Sequence, residues 1–406
     1  MGENPIMQLG WVDFSREDRE KVLDVMNLLQ EQGAVDEIGI GLVRDAFANL
    51  FFPGTSTVQT VAKYFLIVPY ILKEATEGRY GNDLNKILRK IDAEEKACGI
   101  RLMENCPGED GIIGRRVLPR GWVARKPSGI YWNGIRAYGI CTQDLTIPEL
   151  LKASILLQAQ KTASVLGNKG DDAADFERDD ADAGRDIATQ LFSVPDDYYT
   201  DWRTDLSIHL TITEAAFLRK MIETSVPTSL LGYLLRNSVD VTKYDSFEAI
   251  YEDLGDVVPV DLARTMKLAC DFNRLVYAAR VRYNYILSNG QNEDAAEEWA
   301  YIEENMQHMM SVDVDDVLQT LHITNFRLRR FLTGFKVALM AGDLDAADKV
   351  LIDREIEIKT RSRAKLCKRD DYANDAWIGG RFLDYRFSSA KRIITDIYRG
   401  EEVAHV

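Results

Sequence analysis

A chain of 406 residues, 46% hydrophobic and 28% charged, is long enough for two or three cores and too apolar for a disordered or collagen-like polymer. Its formal net charge of -15 argues against indiscriminate binding of polyanions and directs attention to any local concentration of Lys and Arg. No run reaches the roughly 20 apolar residues of a membrane span, and the opening MGENPIMQLGWVDFS lacks the basic-then-apolar order of a signal peptide, so a cytoplasmic protein with no membrane partner is expected.

Taken in chain order, Ser15 with Asp18 makes a capping-box-like start, and Val22, Met26 and Leu29 follow at helical spacing before Gly33. Leu42, Phe47, Leu50 and Phe51 predict a second, buried helix. PGTST, from Pro53, reads as a loop with a new cap, and Val61 to Leu72 is apolar almost all round. Leu84, Ile87, Leu88 and Ile91 give a further helix ending at Gly99. Helical spacing then lapses from residue 105 to 145, where Gly and Pro punctuate β-prone runs such as GIYW and IRAYGIC, the pattern of hairpins or loops. Thr146 and Glu149 form a T-x-x-E box opening the next helix.

From Gly170 to Asp205 twelve acids face only Arg178, Arg185 and Arg203, the composition of a solvated loop or linker. Beyond it, helices are expected near 213–224, 227–237, 260–287, 293–310, 325–341, 343–366 and 380–398. The fold class expected is mainly α. An N-terminal α+β domain, residues 1–168, carries a short β-hairpin resembling the wing of a winged-helix module; an acidic connector follows at 169–205 and a C-terminal helical domain at 206–406.

Residues 111–140, GIIGRRVLPRGWVARKPSGIYWNGIRAYGI, hold six Arg or Lys and no acid. Arg115, Arg116, Arg120, Arg125, Lys126 and Arg136 alternate with Trp122, Tyr131, Trp132 and Tyr138. Guanidinium groups grip phosphate in bidentate fashion, and aromatic faces stack on bases or brace a backbone. The alternative is internal: the same cations pair with the protein's own carboxylates, such as the 171–205 block, and the aromatics fill a core. A second cluster, Lys359, Arg361, Arg363, Lys365, Lys368 and Arg369, would place Arg361 and Lys365 on one face of a helix near its C-terminus, where the macrodipole also favours cations.

Enzyme signatures are missing from the sequence: no Walker loop, no G-x-G-x-x-G, no G-x-S-x-G, and four histidines with no H-E-x-x-H. Five cysteines without a C-x-x-C pair indicate neither a disulfide framework nor a zinc knuckle. Asp313, Asp315 and Asp316, and Glu303 with Glu304, read as solvated helix ends rather than metal ligands. No catalytic residue, metal or cofactor is expected.

The opening LGWVDFS, the run DEIGIGLVRDAFANLFFPGTSTVQTVAKYFLIVPYI and the element RGWVARKPSGIYWNG, Arg120 to Gly134, resemble the bacterial family known as domain of unknown function 6361. G-T-S-T-x-Q-T is its most distinctive piece, and the likeness is expected over most of the chain. The resemblance implies a bacterial, cytosolic setting near helicase-like and nuclease-like genes of phage-defence islands, and no catalytic residue. The expectation is therefore a non-catalytic nucleic-acid-binding accessory protein whose partners are DNA or RNA and the proteins of a defence complex. A scaffold without nucleic-acid contact, and an enzyme of unrecognised chemistry, are the alternatives.

Overall fold

The computed structural model describes residues 36–167, 191–199 and 201–402; the helix expected over Ser15 to Gly33 and most of the acidic connector, including 169–190, lie outside the described residues. In chain order the α-helices are α1 (Gly41–Phe51), α2 (Tyr64–Thr76), α3 (Leu84–Asn105), α4 (Pro127–Ala137), α5 (Ile147–Gly167), α6 (Ile212–Ser225), α7 (Leu230–Arg236) and α8 (Phe247–Leu254). They continue as α9 (Val260–Leu287), α10 (Glu293–Glu304), α11 (Met306–Met309), α12 (Val314–Thr320), α13 (Phe326–Met340), α14 (Leu344–Lys359) and α15 (Phe387–Glu402).

Their starts are written in short polar side chains. Asp83, Thr211, Ser229, Ser246, Asn292, Asp313, Asn325 and Asp343 each accept a backbone N–H of the first turn, satisfying donors that have no intrahelical partner. Asp313 accepts from both Asp315 and Asp316, which identifies this acid cluster as a helix start. The Thr146–Glu149 box is present, with Thr146 N–H donating to Glu149 at 2.9 Å and Glu149 N–H to Thr146 at 3.4 Å.

The mainly helical class holds, but the hairpin and the winged-helix likeness do not. The only β pairing among the described residues is an isolated bridge between Cys141 and Phe192, and SGIYWNGI lies inside helix α4. Two features make that stretch helical. Pro127 occupies the first helical position, where its fixed φ suits the helix and its missing N–H costs nothing, and Lys126 before it is extended as a pre-proline residue prefers. Ile130, Tyr131, Gly134, Ile135 and Tyr138 then recur at helical spacing and form the buried stripe.

The described chain divides into two compact units, one holding residues up to Arg44 with Asp271–Leu383, the other Asp45–Cys270 with Asp384 onward; the divisions fall within α1 and α9. In the larger unit, α2 is buried on nearly every side and packs against α3, α4 and α5, while α15 packs on α6. Beside them Phe47, Phe51, Phe52, Phe247, Tyr385 and Phe387 form one aromatic cluster, with Phe51 and Phe247 centroids 4.7 Å apart and Phe247 and Tyr385 5.0 Å apart. Phe47 and Phe51 point into it as expected, whereas Leu42 and Leu50 on the same helix are exposed. In the smaller unit α13 and α14 pack as a hairpin, and Tyr277 stacks on Phe382 at 3.8 Å.

Candidate functional site

Helix α3 organises the basic segment. Ile87, Ile91, Glu95, Cys98 and Leu102 lie along its buried stripe, so a carboxylate occupies a position where spacing calls for an apolar side chain. Its Oε1 accepts the backbone N–H of Ser128 at 2.5 Å. Lys126, the N-cap of α4, makes no side-chain cap of its own, so Glu95 supplies from a neighbouring helix the acceptor that the first turn of α4 lacks. One turn earlier, Asp92 accepts the Trp122 indole N–H at 2.8 Å and pairs with Lys126 at 2.7 Å.

Towards the core, α4 is held by the loop that contains GTSTVQT. The Tyr131 hydroxyl accepts from the N–H of Thr60 (2.7 Å) and Val61 (3.1 Å) and donates to the Val61 carbonyl (2.9 Å). Burial pushes its phenol up to about 12, so it remains a neutral donor and acceptor. At Gly134 an added Cβ would meet the Gly54 carbonyl at 2.4 Å, and at Gly54, where φ is +78, it would meet the Tyr138 ring at 2.8 Å. These two glycines let helix and loop touch. Within the loop, Gln59 donates to the Gly54 carbonyl, Thr55 to the Phe52 carbonyl, and Thr60 Oγ1 to the Gly111 carbonyl at 2.6 Å. PGTST is thus a turn, as its composition suggested, but it does not cap the next helix, whose N-cap is Lys63 with no side-chain cap bond.

The predicted cations separate into two groups. Lys126 is paired to Asp92, Arg136 to Asp144 at 2.5 Å, and Arg115 donates to the Glu109 carbonyl. Arg116, Arg120 and Arg125 are exposed, and no hydrogen bond or ion pair joins their side chains to another described residue. The aromatics are committed inward. Tyr131 and Tyr138 are buried, Trp122 lies against Gly114, and Trp132 donates to the Leu145 carbonyl at 3.0 Å with its ring 6.4 Å from Phe192. Of the two roles the sequence offers for Trp122, Tyr131 and Trp132, bracing the segment or stacking on a base, these contacts are of the bracing kind, and Trp122 and Trp132 stay half-buried. The pairing of cations with the protein's own carboxylates is real for Lys126 and Arg136, through Asp92 and Asp144; the acidic stretch 168–190 is outside the described residues.

The second cluster, in the smaller unit, is also divided. Helix α14 stops at Lys359, because Thr360 adopts φ +71, so Arg361 and Lys365 do not share a helix face. Lys359 and Lys365 pair with Glu37, the latter at 2.7 Å. Glu355, fully buried, accepts from Tyr283 Oη (2.8 Å), Lys359 Nζ (3.1 Å) and the N–H groups of Lys365 (3.0 Å) and Leu366 (2.9 Å). Arg369 donates to the Leu366 carbonyl and to Asn289. Arg361, Arg363 and Lys368 remain exposed with no such partner among the described residues.

A cleft in the smaller unit is lined by Asp36, Glu37, Arg44, Arg280, Tyr283 and Gly380, among others. Its polar groups are used in structure: Asp36 accepts the N–H of Gly39 and Gly41, Glu37 pairs with Lys365, Tyr283 donates to Glu355, and Arg280 donates to the Arg381 carbonyl. Among the described residues no group of three or more His, Cys, Asp or Glu is placed to hold a metal, and no helix is long and apolar enough to cross a membrane.

Residues 6–151 match the model of DUF6361, described as a family of unknown function. Both family elements, Gly54 to Thr60 and Arg120 to Gly134, fall inside the match, and they are the two pieces that Tyr131, Gly54 and Gly134 join. No curated protein and no solved structure matches the chain.

Proposed function

We propose that this protein is a non-catalytic nucleic-acid-binding accessory protein that meets phosphate through Arg116, Arg120 and Arg125. The observation that carries the reading is their exposure without partners among the described residues, on a segment that Asp92, Glu95 and Tyr131 fix from behind. A guanidinium with no internal acceptor keeps its planar fork of donors for an incoming anion, and phosphate accepts that fork in bidentate fashion. The net charge of -15 does not oppose this locally, since exposed charges are screened over about 10 Å at ordinary salt. The setting implied by the family resemblance, beside helicase-like and nuclease-like proteins of phage defence, supplies partners for the chemistry this chain lacks.

The test is fluorescence anisotropy with labelled single- and double-stranded DNA and RNA. Wild type should bind at least one of them in a salt-sensitive manner, and Arg120→Glu with Arg125→Glu should lose that binding while keeping the melting temperature. Absence of binding in wild type, or its survival in the double variant, would reject the reading.

A second reading, a protein-docking scaffold, is favoured by one feature of the smaller unit. Phe326, at the start of α13, is 70% exposed, and Val337 and Met340, one turn apart near its end, are 60% and 50% exposed. Capture of a neighbouring gene product that survives nuclease treatment and is lost in Phe326→Ser with Val337→Ser would support it.

A further inference from the structure

Glu95 is 2% exposed, and its two oxygens have unequal surroundings. Oε1 receives the Ser128 N–H, while Oε2 is buried with no hydrogen-bond partner. An ionised carboxylate there keeps a good charge-assisted bond at one oxygen and has a dry, uncompensated oxygen at the other. Neutral carboxylic acid removes the desolvation cost and still offers its carbonyl oxygen to Ser128. The groups facing it are Asp92 and Cys98 on α3, Tyr64 on α2, and Lys126 and Ser128 at the start of α4. Burial pushes the Cys98 thiol up to about 12 and the Tyr64 phenol higher still, so both stay neutral through the physiological range.

We propose that Glu95 is a proton-operated latch: protonated, it seals the junction between α3 and the N-terminus of α4; ionised, it admits water to Oε2 and loosens the segment from Trp122 to Ser128. The proton goes to solvent, and no other bond is made or broken. Burial pushes the Glu95 carboxyl up from 4.5 to about 7, against the hydrogen bonds from Ser128 and the charge of Lys126, which pull it down, and with Asp92, which adds to the rise. The closed junction has the raised value and the opened, hydrated one the ordinary value. The closed form is therefore favoured most below 4.5, loses its advantage as pH rises to about 7, and changes no further above that. Asp92 keeps Trp122 and Lys126 tethered in both states, so the change is a loosening rather than a release.

The experiment is hydrogen exchange on the full chain, following the peptide that covers residues 120–131, with rates corrected for intrinsic base catalysis. Protection in wild type should fall by up to about tenfold per pH unit between 5 and 7 and then level off, while Glu95→Gln should give a flat profile. A flat wild-type profile overturns the latch, and so does a fall that persists in Glu95→Gln. If that variant does not fold, an isotope-edited infrared titration of the wild-type glutamates decides: a carboxylic-acid band lost in step with the protection is required, and its absence overturns the proposal. Neither arm contains a nucleic acid, so the latch and the phosphate reading fail or hold separately.

Discussion

The Tyr131 hydroxyl takes two backbone N–H groups, from Thr60 and Val61, and returns one hydrogen bond to the Val61 carbonyl, so one phenol oxygen ties helix α4 to the loop after α1. Both strands of that contact belong to the sequence elements that carry the family resemblance. Those elements are thereby held together on the same segment that carries Arg120 and Arg125.

Tyr131→Phe would leave that buried backbone unsatisfied at near-constant volume. A loss of roughly 1–3 kcal/mol is expected for such a change, read as a lower urea midpoint with an unchanged slope. An unchanged midpoint would mean that the contact is not made in solution.

Two glycines of α4 give a contrasting pair. At Gly134 an added methyl meets the Gly54 carbonyl at 2.4 Å and the Phe65 ring at 2.5 Å; at Gly129 it meets nothing within 4 Å. Gly134→Ala should cost about 1–3 kcal/mol through overpacking. Gly129→Ala should be neutral or stabilising by up to about 1 kcal/mol through helix propensity. Thermal melting of the two variants separates them, and equal effects would contradict the close approach of helix and loop.

Acid should act through Glu74. This buried carboxylate accepts a bidentate pair from Arg203 at 2.7 Å each, with Trp202 and Tyr80 as further donors. Burial alone would raise its pKa, but the Arg203 hydrogen bonds and charge outweigh burial and hold it below the ordinary value of 4.5. A lowered folded value contributes stability above the ordinary value and loses it as pH falls through the folded one. Urea midpoints should drop on acidification in wild type, and Glu74→Gln should show a shallower drop below pH 4.5. The sign is opposite to that of Glu95, so the two variants should diverge in different halves of the pH range.

Most helices were legible because their starts and periodicity are local. Thr146 with Glu149 announces α5, and the spacing through Phe331 and Phe335 announces α13. Helix α4 was misread because Gly129 and Gly134 lower its helix propensity and its aromatic and β-branched residues raise strand propensity, while the reason for Gly134 lies 80 residues away at Gly54. The Pro127 start and the Ile130–Tyr131–Gly134–Ile135–Tyr138 spacing were the available signals. For the candidate site, the six cations of the segment were found, but not which three lack a partner among the described residues, since pairing depends on Asp92 and Asp144 in other elements. Glu95 had its own local mark, an acid at i+4 from Ile91 on the buried face of α3. The second cluster was overread as a helical ridge because nothing in TRSR reveals the left-handed turn at Thr360.

The most direct measurement of the central claim is the salt dependence of binding for wild type and for a variant in which Arg116, Arg120 and Arg125 are all changed to Gln. Three phosphate contacts on duplex predict a log–log slope of about -2.7, and the variant should lose most of it while its stability stays within about 0.5 kcal/mol. A variant slope equal to that of wild type, or a wild-type affinity indifferent to salt, would contradict the claim that these three arginines meet phosphate.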